Sequence, residues 1–247
     1  MKKLALLGIV AVALAAAVPA HAQGITLTGE TGVARTPLAM ALPPMSCTVA
    51  ADLVASEDLL LPLRAEFGII EGLELGLHYW LTDTKNNQSQ WGLNTKYVIP
   101  AEMMENLSLA AGFNYQSWSA DGGRDATRMK FYGVVSYLWD TKVPIIPSGG
   151  LSYEVEGGDE DGSGLRIFGS VLAKVMPNLS IGAEFNLANS DLDGDDADSD
   201  LWFGARFFLR ENLSFQAGIL NNANVGGNDT SDFVLHAGAQ YAFSFAK

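Results

Sequence analysis

Apolar residues occupy every second position over most of the chain. In the stretch 201–210, one set consists of Leu201, Phe203, Ala205, Phe207 and Leu209. The alternate set consists of Trp202, Gly204, Arg206, Phe208 and Arg210. Because side chains point to opposite faces of an extended chain in turn, this stretch predicts a strand with one apolar and one mixed face. The alternation resumes after Glu211–Asn212, which predicts a hairpin.

The same alternation returns in about twelve segments, counted from Cys47–Val54 onward. Most segments are near the roughly 9–11 residues that a tilted strand needs to cross a bilayer. Short connections occur at 71–72, 100–106, 141–144, 177–178 and 211–212, and longer polar ones at 82–89, 120–127, 156–164, 189–200 and 221–232. The pattern predicts an all-β fold, an antiparallel transmembrane β-barrel of about 12 strands over residues 47–247, with short periplasmic turns and long acidic external loops.

A soluble β-sandwich is the alternative to a membrane barrel. Its second face would meet water and would be rich in charged residues. Here the second face carries glycine near mid-strand, at Gly68, Gly76, Gly92, Gly112, Gly182, Gly204, Gly218 and Gly238. Glycine inside a strand is typical of a bending wall or of a close approach by another group. Aromatic residues also fall at two heights, as at Tyr79 and Tyr97, which favours a bilayer with two interfaces.

The N-terminus has the pattern of a secretory signal peptide. Two lysines precede an apolar stretch, and Ala20-His21-Ala22 forms a small-x-small cleavage site. We expect residues 1–22 to be removed and the protein to be exported. The apolar stretch is shorter than the roughly 20 residues of a membrane-spanning helix. Cys47 is the single cysteine, so no internal disulfide is expected, and a strand position is favoured for it.

The charge of the chain is strongly negative. It has 28 acidic and 15 basic residues, and loss of Lys2 and Lys3 with the signal peptide gives a mature net charge of about −15. Binding to nucleic acid would work against phosphate repulsion, so no nucleic-acid partner is expected.

The terminal strand "FVLHAGAQYAFSF" and the alternation before it resemble Gram-negative outer-membrane β-barrel proteins of the porin-like kind. The resemblance implies location in the bacterial outer membrane, contact with outer-membrane lipid and lipopolysaccharide, and recognition by the barrel assembly machinery. Members of that group end on an aromatic residue, whereas this chain adds Ala246 and Lys247 after Phe245. The stretch "TGETGVARTP" is similar to the start of some barrels linked to exopolysaccharide secretion. Neither likeness sets a solute or an oligomeric state.

Strand phase places charged residues of both signs toward the lumen. The predicted pore-lining set is Arg64, Glu66, Glu74, His78, Lys96, Arg128, Lys130, Glu154, Arg166, Lys174, Glu184, Arg206 and Arg210. Eight strands leave an interior filled by side chains and sixteen leave a water channel, so about twelve lies between them. Two readings stay open: a narrow porin-like channel for small solutes or ions, and a closed structural or adhesion barrel that exposes acidic loops.

A lipid-modifying enzyme is the third class and is not favoured. Such barrels need a nucleophile or base within reach of an acyl chain, commonly a Ser–His pair. The mature chain has two histidines, His78 and His236, and alternation points both of them inward. We expect hydrogen-bonding roles in the lumen, and no cofactor.

Six aspartates lie within residues 191–200. Alternating oxygen ligands are typical of calcium loops, but the glycine and glutamate of that pattern are missing. Solvated external loops are the first interpretation. Weak Ca²⁺ binding at Asp193, Asp195 and Asp198 is the second, and it predicts a calcium-dependent rise in thermal stability that changing these residues to Asn would abolish.

Residues 23–46 form a separate N-terminal segment. "ITLTGETGVA" could supply a thirteenth strand, but an odd number of strands would place one chain end outside. We therefore predict a periplasmic or lumen-entering segment that plugs or latches the barrel.

Overall fold

A computed structural model describes residues 18–19, 25–55, 59–82, 90–99, 106–120, 124–158, 162–187, 199–221 and 234–245. Within these ranges the regular structure is entirely β, and no helix is long and apolar enough to cross a membrane. Twelve long strands pair antiparallel in chain order, and the last pairs with the first, which closes the barrel. The all-β, 12-stranded barrel predicted from the sequence is confirmed.

The strands have the following bounds. A two-residue strand, β1, is Val18–Pro19, and the barrel consists of β2 Ser46–Ala55, β3 Leu59–Ile70, β4 Leu73–Thr82, β5 Gln90–Ile99, β6 Leu107–Ala120, β7 Arg124–Tyr137, β8 Ile145–Gly157, β9 Gly162–Met176, β10 Leu179–Asn186, β11 Asp200–Arg210, β12 Leu213–Asn221 and β13 Val234–Ser244. We call the end with connections 71–72, 177–178 and 211–212 the turn rim, and the end with 83–89, 188–198 and 222–233 the loop rim. The strand β1 pairs with the end of β13 at the turn rim.

The outer face of the wall is apolar, as the alternation predicts. On β11, Leu201 and Phe203 are 53% and 63% exposed, whereas the intervening Trp202 is 6% exposed. The aromatic residues Tyr79 and Trp91 are exposed toward the loop rim, and Tyr97 and Tyr137 toward the turn rim. An isolated barrel in water would expose this apolar band at great cost, so it faces lipid.

Two connections predicted as long loops are mostly strand. The ladder between β6 and β7 continues to the pair Ala120 and Arg124, and that between β8 and β9 continues to Glu156 and Gly162. These stretches are rich in polar residues and glycine, which weakens a sequence-based strand prediction. Main-chain pairing with an adjacent strand overrides that preference, so this part of the wall is taller.

Residues 25–44 do not add a thirteenth strand to the barrel. They form two isolated bridges, Ile25 with Thr31 and Gly32 with Pro37. Most of their apolar side chains are buried, including Ile25, Leu27 and Val33 at 0–1% exposure. Hydrogen bonds join the segment to inward-facing side chains on β3, β4, β7, β10 and β13, so it lies within the lumen. We call residues 25–44 the lumen segment.

Candidate functional site in the barrel lumen

Nine of the thirteen residues predicted to line the lumen are buried on its inner face. They are Arg64, Glu66, Glu74, His78, Lys96, Glu154, Arg166, Glu184 and Arg206. Arg128 and Lys130 also face inward and are partly buried. Lys174 and Arg210 are exposed near the turn rim, away from this cluster. Register shifts between Leu179 and Ser180 and between Phe208 and Arg210 interrupt the alternation next to both residues.

Inward-facing glycines make room for these large side chains. A Cβ on Gly92 would lie 2.3 Å from the His78 ring and 2.3 Å from the carbonyl oxygen of Tyr115. A Cβ on Gly112 would lie 2.3 Å from the Tyr132 ring. The glycines therefore sit where neighbouring wall residues reach across them, which is the close approach expected from their mid-strand positions.

An ion-pair network on β2, β3, β12 and β13 has Asp52 at its centre. Asp52 pairs with the guanidinium of Arg64, and its Oδ1 lies 2.7 Å from His236 Nε2. Gln216 Nε2 donates to the same oxygen at 2.7 Å. Asp52 was not among the predicted residues, although its inward phase between Ala50 and Val54 was readable from the sequence. Since each charge is paired, removing one partner would leave an uncompensated buried ion.

A second pair lies on β4 and β5. Lys96 Nζ is 2.9 Å from Glu74 Oε2, and both side chains are fully buried. Glu74 also accepts hydrogen bonds from the hydroxyl of Thr31 and from the backbone N–H of Leu42 in the lumen segment. The predicted charged wall is therefore bonded to the segment as well as to itself.

The tip of the lumen segment is held by β10 and β11. Glu184 accepts hydrogen bonds from the backbone N–H groups of Ala34, Arg35 and Thr36 at 2.8–3.1 Å. Arg35 Nη1 donates to Asp200 Oδ2 at 2.6 Å. A carboxylate bound by three backbone donors is a strong, charge-assisted contact. Neither Asp200 nor Arg35 was predicted as a lumen residue.

Apolar contacts fill one side of the lumen near the loop rim. The cluster combines Leu27, Val33, Ala34 and Leu38 of the segment with Val54, Leu60, Trp80, Trp202, Leu220 and Val234 of the wall. These wall residues come from β2–β4 and β11–β13. Their packing against the segment leaves this side closed.

A polar cavity of about 70 Å³ lies on the other side. Its wall residues come mainly from β5–β10 and include Gln90, Asn114, Gln116, Arg128, Lys130, Glu154, Arg166 and Asn186. Lys130 and Arg166 lie 3.8 and 3.6 Å from Glu154, and Arg128 pairs with Glu156. Leu27, Thr28 and Arg35 of the lumen segment also line the cavity. The cavity is therefore enclosed by the lumen segment and the barrel wall together, and the inward rings of Tyr132 and Phe168 lie next to Lys130 on its wall side.

The calcium hypothesis concerns residues that the structure does not describe, because Asp193, Asp195 and Asp198 lie in 188–198. Within the described ranges, no group of three or more His, Cys, Asp or Glu residues is placed to hold a metal ion. His78 and His236 are 3% and 2% exposed inside the barrel, as their phase predicted.

No protein-family model matches the sequence, and no curated protein matches it either. Solved structures do match. One described as "KdgM porin" has 14% identity and a TM-score of 0.55 over 79% of this chain and 99% of that chain. A "NanC porin" structure has 12% identity and a TM-score of 0.58 over 79% and 98%. Outer membrane phospholipase A from Escherichia coli has 7% identity and a TM-score of 0.50 over 82% and 97%.

These likenesses span nearly the whole of each solved chain, at identities too low to carry an activity across. Together with the closed ring of twelve antiparallel strands and its apolar outer band, they show that the chain has the porin-like fold of outer-membrane β-barrels.

Proposed function

We propose that the protein is a narrow porin-like channel of the bacterial outer membrane for small solutes or ions, closed at rest by the lumen segment. The observation that carries this proposal is the lining of the polar cavity. Leu27, Thr28 and Arg35 line it together with wall residues, and they belong to a segment outside the strand ladder of the barrel. Moving the segment would widen the cavity without breaking a barrel strand.

The charged wall supports a channel role. Arg64, Glu74, Lys96 and Glu184 contact the segment and are buried beneath it. A wall of mixed charges can replace part of the hydration shell of a small solute, and its sign balance sets selectivity. Two solved structures that share this fold are described as porins, KdgM and NanC, which agrees with the proposal.

Single-channel conductance in a planar bilayer tests the proposal. We expect the mature protein to be silent or to open rarely, and a variant lacking residues 23–44 to give stable current steps. Heat-modifiable migration in gels should show that both proteins are folded barrels. A folded deletion variant that stays silent across a salt series would contradict the channel.

A closed structural or adhesion barrel is the second candidate. The same filled lumen favours it, because the apolar cluster and the ion pairs give the barrel a packed interior. Silence of the folded deletion variant would support this candidate, and the acidic loops would then be the next regions to test for binding.

A lipid-modifying enzyme is the least favoured. The solved phospholipase shares the fold, but His78 and His236 are buried in the lumen and His236 is bonded to Asp52. Acyl chains reach a barrel from its lipid face. Greater fatty-acid release from phospholipid micelles by the unaltered protein than by a His236→Gln variant would support an enzyme after all.

Export and cleavage complete the proposal. We infer that residues 1–22 are removed after Ala22, so N-terminal sequencing of protein isolated from outer membranes should begin at Gln23. Other sequences at the N-terminus would place the processing site elsewhere and change the length of chain ahead of the lumen segment.

A further inference from the structure

The barrel wall contacts the lumen segment mainly through the main chain of the segment. Side chains from seven strands bond to its N–H or C=O groups. The wall residues are Arg64, Glu74, Asn94, Lys96, Ser136, Glu184, Arg206 and Gln240. Direct side-chain bonds between wall and segment are fewer, such as Arg35 to Asp200 and Asn114 to Glu30.

Wall acceptors receive the N–H groups of the segment. Glu184 accepts three of them at Ala34, Arg35 and Thr36. The hydroxyl oxygen of Ser136 accepts the N–H of Ala39 at 2.9 Å. Since Glu184 is 4% exposed, its charge is stabilised in this place by the peptide itself.

Wall cations bind the carbonyl oxygens. Arg64 donates to the carbonyl of Ile25 at 2.9 Å, and Lys96 donates to the carbonyl of Thr31 at 3.0 Å. Wall carboxylates hold both cations, because Asp52 pairs with Arg64 and Glu74 with Lys96. The wall carboxylates therefore hold the Arg64 and Lys96 donors in place independently of the peptide, which lowers the entropy lost on binding.

We propose that the inner wall is a peptide-binding site, in which residues 25–44 are held as a non-covalent ligand and not only as a tethered part of the chain. This deepens the proposed function, since the bound peptide is the closing element of the channel. A segment separated from the barrel by a single backbone cut stays bound, and a free peptide of the same sequence exchanges into the site.

The cut can be made in the complete, folded protein. Pro43, Pro44 and Met45 are exposed at the turn rim, just before β2. A protease recognition sequence inserted between Pro44 and Met45 allows cleavage after folding in detergent. Gel filtration followed by mass spectrometry measures retention of the peptide 23–44, and exchange with a fluorescent synthetic peptide 23–44 gives its dwell time by anisotropy.

Two wall variants form a matched pair. Glu184→Gln removes the charge that accepts three N–H groups, and we expect the dwell time to fall about tenfold or more. Glu154→Gln removes an equally buried wall carboxylate whose partners, Ser152, Lys130 and Arg166, all belong to the wall. We expect its dwell time to stay within about twofold of the unaltered wall.

Peptide variants test whether the main-chain groups of the segment provide the binding contacts, without altering the barrel. N-methylation at Arg35 removes an N–H that Glu184 accepts, and we expect this peptide not to exchange in. An Arg35→Gln peptide keeps the N–H and loses only the bond to Asp200, so it should exchange with a modest loss of affinity.

Loss of the cut peptide from the unaltered barrel during gel filtration would overturn the inference, as would equal dwell times for Glu184→Gln and Glu154→Gln. The channel proposal stands apart from these results. If the deletion variant conducts but the cut peptide is lost, the channel proposal is supported and the peptide-binding proposal is contradicted. If the peptide is retained but the deletion variant is silent, the peptide-binding proposal is supported and the channel proposal is contradicted.

Discussion

The two sides of the lumen near the loop rim differ in composition and in packing. On the side of β2–β4 and β11–β13, side chains such as Val54, Trp80 and Leu220 pack against Leu27 and Val33 of the lumen segment. On the side of β5–β10, amide and charged side chains surround an open cavity. The same segment thus meets a dry surface on one side and a polar one on the other.

This difference separates two roles of the segment. Apolar packing has no path for ions and supplies binding free energy through burial. In the proposed channel, the polar side leaves room for water and orients charge toward an incoming solute. Under that proposal, closure depends most on the apolar side, and selectivity depends most on the polar side.

The largest effect is expected when a charge is placed among the residues on the apolar side of the lumen. Leu27 is 1% exposed within the cluster, so Leu27→Asp buries an unpaired carboxylate at a cost of several kcal/mol. We expect the segment to leave its site and the single-channel current to approach that of the variant lacking residues 23–44. Leu27→Met conserves volume and should stay closed. A silent, folded Leu27→Asp protein would show that apolar packing does not hold the segment.

The boundary between the two sides runs between β4 and β5. There Gly92 leaves room for the His78 ring, and the neighbouring Tyr115 carbonyl cannot turn away as a flexible side chain could. Gly92→Ala should therefore destabilise the barrel by about 1–3 kcal/mol through overpacking. Urea unfolding in detergent measures this, with Gly133→Ala as the control because its Cβ would meet its nearest neighbour at 4.0 Å. Equal urea midpoints for Gly92→Ala and Gly133→Ala would contradict the close packing of His78 and Tyr115 around Gly92.

A charge change on the polar side should alter selectivity without opening the barrel. Arg128 lines the cavity and pairs with Glu156. In the variant lacking residues 23–44, Arg128→Gln should shift the permeability ratio toward cations by roughly twofold, since one positive charge is removed within a Debye length of the path. Reversal potentials in a salt gradient report the shift, and no shift would place the ion path elsewhere.

The same loss of a positive charge near the turn rim should have the smallest effect on ion selectivity. Arg210 was predicted to line the pore, but its side chain is exposed beyond a register shift in β11. Arg210→Gln in the same background should change the reversal potential less than Arg128→Gln does, because bulk ions screen an exposed charge. Equal shifts for the two variants would return Arg210 to the pore-lining set.

The sequence predicted the wall well because a bilayer imposes a period of two on every spanning strand. That period placed Arg64, Glu74 and Lys96 on the inner face, where they are buried. Alternation fails across the bulge before Arg210, which is why Arg210 was wrongly grouped with the inward set. Lys174 is in phase with the inward residues, but it lies near the turn rim, where its side chain is exposed.

The position of the lumen segment had no comparable signal. Its contacts join residues far apart in the chain, as Glu184 with Ala34 and Ser136 with Ala39. Short polar stretches such as Thr28–Pro37 carry no period that would identify a partner. A plug or latch could be proposed from strand parity, but its binding residues could be read only from the folded chain.

The contacts of the lumen segment also bear on the roundness of the barrel. Strand number and shear fix the perimeter of a closed barrel, but not the shape of its cross-section. The segment bonds to Gln240 on β13 and Ser136 on β7, six strands apart, and to Glu74 on β4 and Glu184 on β10, also six strands apart. Residues 25–44 thus brace two crossing diameters of the ring, and without them the wall is free to flatten into an ellipse.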